Sequence, residues 1–274
     1  FHAVDGIRDR SPSRGLGDVY KRQDYLLRLH DAREPGARVN NEHADLMDRL
    51  LRKLFRITED RYFRHFPRLE VRFAVMAVGG YGRRELSLAS DLDLLFLYRG
   101  KVNPYIETMT EAISHRLWDA KLSLGVATRT LQQSMRLGKN DLSTMTSYLD
   151  ARPIIGDMDL ATGLESGIKS WIQRNRTSFI EQKLEEQEAR RLRNGESLFL
   201  LQPNLRESIG GLRDYHTALW VARATYWDFS SLEDLIEGGG PWEDLNQPYD
   251  PHIGMPLTIG YITSSSPPIV AEKT

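Results

Sequence analysis

The stretch from Val75 to Tyr98 constrains the fold more than any other part of the chain. It reads VMAVGGYGRRELSLASDLDLLFLY, two apolar runs separated by a glycine pair and a short polar segment. Apolar runs of this length, bounded by turn residues, are typical of buried strands. Gly79 and Gly80 end the first run. Because they carry no side chain, the backbone there can approach a ligand closely, and exposed amides can bind phosphates.

The second apolar run carries two acidic residues, Asp91 and Asp93. Side chains two positions apart on a strand point to the same face of the sheet. Two carboxylates on one face suit magnesium, which prefers one or two carboxylates together with substrate phosphates. The stretch therefore contains a candidate metal and catalytic pair next to a candidate phosphate-binding turn.

The order and spacing of these residues resemble the signature of the nucleotidyltransferase superfamily. Ten residues separate Gly80 from Asp91. The fuller string GGYGRRELSLASDLDLL is similar to that of PII uridylyltransferases, which attach UMP to a tyrosine of the PII nitrogen-signalling protein. The resemblance implies UTP as substrate, two magnesium ions held by Asp91 and Asp93, and a nucleotide bound by Gly79, Gly80 and Ser90. It also suggests that Arg83 pairs with phosphate, since arginine is well shaped for that contact.

A second segment, QPNLRESIGGLRD from Gln202 to Asp214, resembles another motif of the same family. A related Gly-Gly-Ile-Arg segment occurs in glutamine synthetase adenylyltransferases. Here Gly210 and Gly211 precede an apolar-periodic segment, so backbone amides and Arg213 lie at a helix start, a natural place for anions. Arg213 is therefore a further candidate for nucleotide binding. The alternative is a tight turn with an Arg213–Asp214 contact between domains.

The predicted third strand, Leu122 to Thr130, departs from the family pattern. Nucleotidyltransferases often carry a third carboxylate on a neighbouring strand, but this segment contains no Asp or Glu. Arg129 is retained, whereas Val126 stands where the family tends to have histidine. Asp119 and Asp141 are possible substitutes, and the identity of the general base stays open.

The pattern as a whole predicts an α/β (α+β) chain: a nucleotidyltransferase fold with a small mixed sheet and backing helices, followed by a helical domain. We expect a helix over Asn41–Ile57, capped by Asn40 or Asn41, and another from Pro104 to about Lys121, capped by Asn103. Further helices are expected over Asp141–Arg152 and over 160–193, with a turn at 153–157 between them. The end of the last helix, EQKLEEQEARRLR, is densely charged with both signs, which is typical of a solvated helix face. The expected domains are a disordered or foreign leader (1–23), an N-terminal helical extension (24–70), the nucleotidyltransferase domain (71–160), an incomplete helical domain (161–238) and an irregular tail (239–274).

Composition narrows the class of protein. The 37 basic and 38 acidic residues give a net charge of −1, so no global field recruits nucleic acid or an anionic membrane. The absence of cysteine excludes disulfides and thiol catalysis. No apolar run reaches the length of a transmembrane helix. We expect a cytoplasmic enzyme whose partners are a nucleoside triphosphate and the PII protein. His30-Asp31 lacks the further ligands of a metal phosphohydrolase.

Three alternatives remain open at this stage. The chain could be an adenylyltransferase acting on glutamine synthetase or another protein, because nothing in the sequence separates UTP from ATP. It could be a tRNA-end or poly(A) polymerase, although the net charge of −1 is unfavourable for that. It could also be a non-catalytic nucleotide-binding regulatory fragment, which the lack of a third carboxylate favours.

Overall fold

A computed structural model of the chain describes residues 25–29, 31–67, 70–194 and 204–227. It divides the chain into two compact units, Phe1–Ile168 and Lys169–Thr274. The leader and the tail predicted for 1–23 and 239–274 lie outside the described residues, as does His30 of the His-Asp pair.

The first unit is built on a mixed sheet of four strands in the order β3-β2-β1-β4. The strands are β1 Phe73–Ala77, β2 Leu92–Tyr98, β3 Leu124–Thr130 and β4 Arg152–Gly156. β1 is antiparallel to both β2 and β4, whereas β2 and β3 are parallel. The small mixed sheet expected from the sequence is thus confirmed.

Helices connect and cover these strands. They are α1 Gly36–His65, α2 Gly79–Gly82, α3 Pro104–Asp119, α4 Leu131–Asn140, α5 Leu142–Leu149 and α6 Met158–Arg174, the last of which contains the boundary between the two units. Asn103 caps α3 as predicted, because its side chain accepts a hydrogen bond from the Ile106 amide at 3.0 Å. Pro104 occupies the first turn, where a missing amide costs nothing.

The main core lies on one face of the sheet, where α1 and α3 pack. Its buried side chains alternate along β2, at Leu92, Leu94 and Phe96, and they meet Leu51 of α1 and Ile113 of α3. Because neighbouring side chains on a strand point to opposite faces, the odd-numbered positions of β2 lie on the other face. The Asp-x-Asp motif is therefore directed away from the main core.

The helix predicted over Asn41–Ile57 is longer than expected and starts earlier. α1 begins at Gly36, and its N-cap residue is Pro35, whose ring has no group that can cap a helix. Asn40 and Asn41, expected to be caps, lie inside the helix. Val39 extends the buried stripe by a turn, so burial of the apolar face outweighs the capping preference of asparagine.

The turn predicted over 153–157 is wrong, because these residues form most of β4. Among the residues that the structure describes, β4 pairs only with β1, and it lies at the edge of the sheet. An edge strand accepts proline, whose missing amide can face away from the ladder. The sequence indicated a turn because Pro153 and Gly156 are turn-forming residues. In the fold, however, Ile154 between them is buried in the core. The helix expected over Asp141–Arg152 ends at Leu149 to allow this strand.

The second unit contains the end of α6, then α7 Arg176–Asn194 and α8 Leu212–Thr225. The charged sequence of α7 was expected to form a solvated face, but Lys183, Gln187 and Arg190 are buried. Their spacing places them on one face of α7. Two of them, Gln187 and Arg190, donate hydrogen bonds to Asp214 of α8, at 2.9 and 2.6 Å. A buried polar face thus replaces the expected solvated one.

Candidate functional site

The pairing of β1 with β2 brings the glycine turn to the Asp-x-Asp motif. Ala77 lies opposite Leu94 in the antiparallel ladder, and the Val78 amide donates to the Asp93 carbonyl oxygen at 3.1 Å. Since the chain leaves β1 at this point, Gly79 lies directly beside Asp93. A Cβ atom built on Gly79 would lie 3.4 Å from Asp93 Oδ2. The register joins the two motifs into one site.

Gly79 and Gly80 open the short helix α2. Gly79 has a φ of +57°, a left-handed conformation that glycine adopts without steric cost. The Glu85 amide donates to the Gly80 carbonyl oxygen at 2.9 Å, which closes the turn. The first amides of a helix have no partner within that helix. Successive amides in such a turn form a concavity suited to an anion such as a phosphate.

The two aspartates lie at the start of β2. Asp91 is exposed and immediately precedes the strand, while Asp93 is half-buried within it. Burial, and in second place the negative charge of Asp91, raise the pKa of Asp93. Like charges of this kind are unfavourable unless a cation or a proton accompanies them. The donor set fits magnesium, because two hard carboxylates hold the ion and leave positions for substrate phosphates.

Two further residues lie beside the glycine turn and the Asp-x-Asp motif. Gly125 of β3 lies opposite Asp93 in the parallel ladder, and a methyl group at Gly125 would overlap Asp93 Oδ1. Ser147 of α5 lies beside Gly79, with its Oγ 3.5 Å from a Cβ built on that glycine. No sequence signal pointed to Ser147, because it belongs to no motif and only the packing of α5 brings it to the site.

Ser90 and Arg83, both expected at the nucleotide, make contacts within the protein. The Ser90 hydroxyl lies 2.6 Å from that of Ser87. Arg83 donates to Glu85 at 2.9 Å and also to the buried carboxylate of Asp150. The Arg83 side chain is only 11% exposed. The two carboxylates balance the positive charge of this arginine, so its contact with phosphate stays a prediction.

Arg213 lies in the second unit, at the start of α8. Its Nε is 3.5 Å from Glu207 Oε1. The neighbouring Asp214 is buried, and it accepts a hydrogen bond from the Gly210 amide at 3.0 Å as well as those from α7. Burial alone would raise the pKa of Asp214, but these hydrogen bonds outweigh it and lower the pKa. Asp214 thus joins the start of α8 to α7.

Neither candidate for a third carboxylate is brought to the aspartate pair. Asp141 caps α5, since its carboxylate accepts from the Thr144 amide at 2.7 Å, and this hydrogen bonding lowers its pKa. Asp119 is exposed at the last position of α3. Among the residues described, no group of three or more acidic or histidine side chains is arranged to hold a metal ion.

Two family models match the chain. A model described as a putative nucleotidyltransferase (DUF294) matches residues 21–125, which include the glycine turn and both aspartates. A model described as GlnD PII-uridylyltransferase matches residues 178–241, which include Gly210 and Gly211. The chain belongs to the PII uridylyltransferase family. Both resemblances noted in the sequence are thereby confirmed, and the mixed sheet is that of a nucleotidyltransferase domain.

Several curated relatives of the chain carry the name bifunctional uridylyltransferase/uridylyl-removing enzyme. The protein of Rhodospirillum rubrum is 38% identical over 228 residues, covering 82% of this chain and 24% of its own length. The protein of Erythrobacter litoralis is 34% identical over 222 residues, covering 80% and 24%. That of Caulobacter vibrioides is 38% identical over 177 residues, covering 64% and 19%. The chain thus spans about a quarter of the length of the first two relatives.

None of the helices in the described ranges combines the length and the apolar character that crossing a membrane requires.

Proposed function

We propose that the chain is the nucleotidyltransferase part of an enzyme that transfers UMP from UTP to a tyrosine of a PII signalling protein. One observation carries the proposal: the sheet places Gly79 and Gly125 around the carboxylate of Asp93. The relatives named as uridylyltransferases support UMP as the transferred group.

In this proposal the backbone of the glycine turn binds the triphosphate. Gly79 and Gly80 have no side chain to obstruct a phosphate, and the left-handed φ of Gly79 orients the turn beside Asp93. Ser90 adds a hydroxyl donor, and Arg83 and Arg213 are the cationic candidates for the phosphates.

Asp91 and Asp93 would hold two magnesium ions. When bound, magnesium supplies the positive charge that favours deprotonation of the acceptor hydroxyl and neutralises the departing pyrophosphate. The aspartates must therefore be ionised, and the raised pKa of Asp93 reflects the cost of that charge in the absence of a cation. Gly125 contributes by leaving room for the carboxylate.

The reaction itself is an in-line displacement. The phenolic oxygen of the acceptor forms a bond to the α-phosphorus of UTP, while the bond from that phosphorus to the bridging oxygen of the β-phosphate breaks. Pyrophosphate leaves with that oxygen, and the phenolic proton is lost. Because a tyrosine hydroxyl has a pKa of about 10, it needs help to lose this proton near neutral pH.

Labelling of purified PII protein with α-labelled UTP tests the proposal, with α-labelled ATP in a parallel reaction. We expect magnesium-dependent labelling from UTP. The Asp91→Asn, Asp93→Asn double variant should reduce it by at least about a hundredfold, since metal ligands contribute several kcal/mol to such transition states. Asp119→Asn is the matched control, because it removes an exposed carboxylate at the end of α3 and should leave labelling unchanged.

The outcomes separate the alternatives. Labelling from ATP alone would replace the proposal by an adenylyltransferase. Full labelling by the double variant would remove Asp91 and Asp93 from the site. No labelling from either nucleotide, with magnesium-dependent nucleotide binding retained, would indicate a regulatory fragment.

A further inference from the structure

A buried hydrogen bond connects the glycine turn to a helix outside the sheet. Tyr81 follows Gly79 and Gly80 directly, and its hydroxyl donates to Asp48 Oδ1 of α1 at 2.7 Å. Tyr81 and Asp48 are only 1% and 2% exposed. The residue next to the phosphate-binding turn is therefore fixed to a carboxylate that belongs to neither motif of the site.

Arg152, the first residue of β4, completes this contact. Its guanidinium donates to both carboxylate oxygens of Asp48, at 2.6 and 3.0 Å. The same group lies 5.5 Å from the centroid of the Tyr81 ring, and its Nε is 3.4 Å from the Gly82 carbonyl oxygen. Arg152 thus contacts the turn directly and through Asp48. We call Asp48, Tyr81 and Arg152 the buried brace.

A charged network such as the buried brace is not needed if the loop only has to be held in place, because apolar packing can do the same. Burial of a charged pair costs desolvation energy that the attraction between the charges often does not exceed. Apolar side chains of similar volume would give equal or better stability. What a fully hydrogen-bonded network adds is a defined geometry. Burial by itself would raise the pKa of Asp48, but hydrogen bonds from Arg152 and Tyr81 outweigh it and lower the pKa, so the carboxylate is ionised.

The position of Tyr81 shows what that geometry controls. Tyr81 lies between Gly80 and Gly82, so a side chain that is fixed at its hydroxyl limits how far the backbone on either side can move. Gly82 is packed so tightly that a methyl group there would overlap the Asp150 carbonyl oxygen. Both contacts restrain the segment that directly follows the amides of Gly79 and Gly80.

We propose that Asp48 is a positioning residue for nucleotide binding, which acts through Tyr81 and Arg152 to hold the amides of Gly79 and Gly80 beside Asp93. This inference rests on the proposed function, because it assigns a task to the same turn. It makes α1 part of the nucleotide site through a residue that is itself buried.

The exposed contacts of the same loop provide a matched control. Arg84 pairs with Asp45 at 2.5 Å, one turn before Asp48 on α1, but both side chains are at least one third exposed. Exposed pairs of this kind contribute little to stability. Asp45→Asn therefore removes a carboxylate that joins the same two segments without touching the buried brace.

The test compares Tyr81→Phe, Asp48→Asn and the double variant with wild type and Asp45→Asn. Tyr81→Phe keeps the aromatic packing, so this variant is expected to fold. Titration with UTP and magnesium gives the Kd, and hydrogen exchange of residues 78–85 reports the turn without any nucleotide. We expect each single variant to bind UTP about tenfold or more weakly, as removal of supporting hydrogen bonds does elsewhere, and to exchange faster in this segment. The double variant should be no weaker than the single ones, because both changes break one network.

Three results would contradict this assignment in distinguishable ways. If the folded variants bind UTP as tightly as wild type, the brace serves stability only, whatever the exchange rates. If Asp45→Asn weakens binding as much as Tyr81→Phe, the effect belongs to the loop and not to the brace. If wild type itself binds neither UTP nor ATP, the proposed function fails and the positioning role fails with it.

Discussion

At the scale of single residues, the absence of a side chain at Gly125 defines the site as much as the presence of Asp93. β2 and β3 are parallel, with these two residues opposite one another. The Asp93 carboxylate occupies the space where a Cβ atom of residue 125 would be. The obstructing atom is the end of a side chain and not backbone, so a methyl group there would turn the carboxylate away without breaking the ladder.

Gly125→Ala should therefore separate folding from activity. We expect an unchanged circular dichroism spectrum and a Tm close to wild type, with UMP transfer reduced about a hundredfold, the loss typical of a displacement of about 1 Å. Labelling and thermal melts on the same samples measure both. Gly36→Ala is the control, since a Cβ there meets nothing within 4 Å. Wild-type transfer by Gly125→Ala would mean that the carboxylate position is not critical.

The charge of Asp93 leads to a second prediction at this scale. Burial, then the charge of Asp91, raise its pKa above the usual 3.8. A carboxyl group with a raised pKa contributes stability in its protonated form, which is lost as the pH rises through that pKa. At neutral pH the ionised group is therefore destabilising in the absence of magnesium, and Asp93→Asn should raise the Tm.

Thermal melts in the presence of a chelator measure this difference. The increase in Tm should become smaller when the pH falls below about 4, where the carboxyl group is protonated in both the folded and the unfolded chain. Asp119→Asn should give no increase. A lower Tm for Asp93→Asn would show that the carboxylate stabilises the fold, contrary to its raised pKa.

At the scale of elements, α1 does more than cover the sheet. Its buried face carries the apolar residues of the core and also two polar side chains that contact the segment after the glycine turn, Asp48 and His43. The His43 Nδ1 lies 3.1 Å from the Leu86 carbonyl oxygen, and His43 is 7% exposed. One helix thus contacts the loop between β1 and β2 at two points, Tyr81 and Leu86.

The burial of His43 makes the stability of the fold sensitive to pH. Burial lowers the pKa of His43 below 6.5, although its backbone hydrogen bonds to Leu86 and Ser87 oppose the shift. The neutral form is therefore favoured in the fold, and its contribution is complete above about pH 6.5 and decreases as the pH falls towards the lowered pKa. As the pH falls over that interval, the free energy of unfolding of His43→Gln should decrease less than that of wild type.

Urea unfolding at about pH 8 and about pH 5 tests this, since histidine is the side chain that normally changes charge in that range. The informative quantity is the difference between wild type and His43→Gln, because the chain has seven histidines. His115→Gln, which changes an exposed histidine of α3, should keep the wild-type dependence on pH. An identical dependence in His43→Gln would contradict the assignment.

The elements also show how far sequence reasoning reaches. Local signals predicted β1, β2 and the cap of α3, because glycine turns, apolar runs and an Asn-Pro pair act on their own neighbours. They misassigned β4, because proline and glycine mark turns unless an edge strand accepts them. The buried face of α7 was missed for another reason: Lys183 and Arg190 look solvated until Asp214 of α8 is placed opposite them.

At the scale of the whole molecule, the site is a product of long-range packing. Residue chemistry predicted a phosphate-binding turn at Gly79 and Gly80 and a metal-binding pair at Asp91 and Asp93, and the resemblance added UTP as the substrate. The sequence, however, has a limit at longer range. It could not predict that Ser147 and Asp48 approach the turn, because their chain neighbours carry no pattern and contacts between distant segments decide their position. The described parts thus support a nucleotidyltransferase domain in the first unit, followed by a helical unit that carries the second family motif.

Magnesium-dependent binding of UTP to this chain tests the central claim most directly, because it needs no acceptor protein and no further domain. The account predicts that magnesium increases the affinity of wild type for UTP by at least about tenfold, and that the Asp91→Asn, Asp93→Asn variant loses this increase while keeping its fold. An equal effect of magnesium on the wild type and on the variant would contradict the claim that these two aspartates hold the metal at the nucleotide.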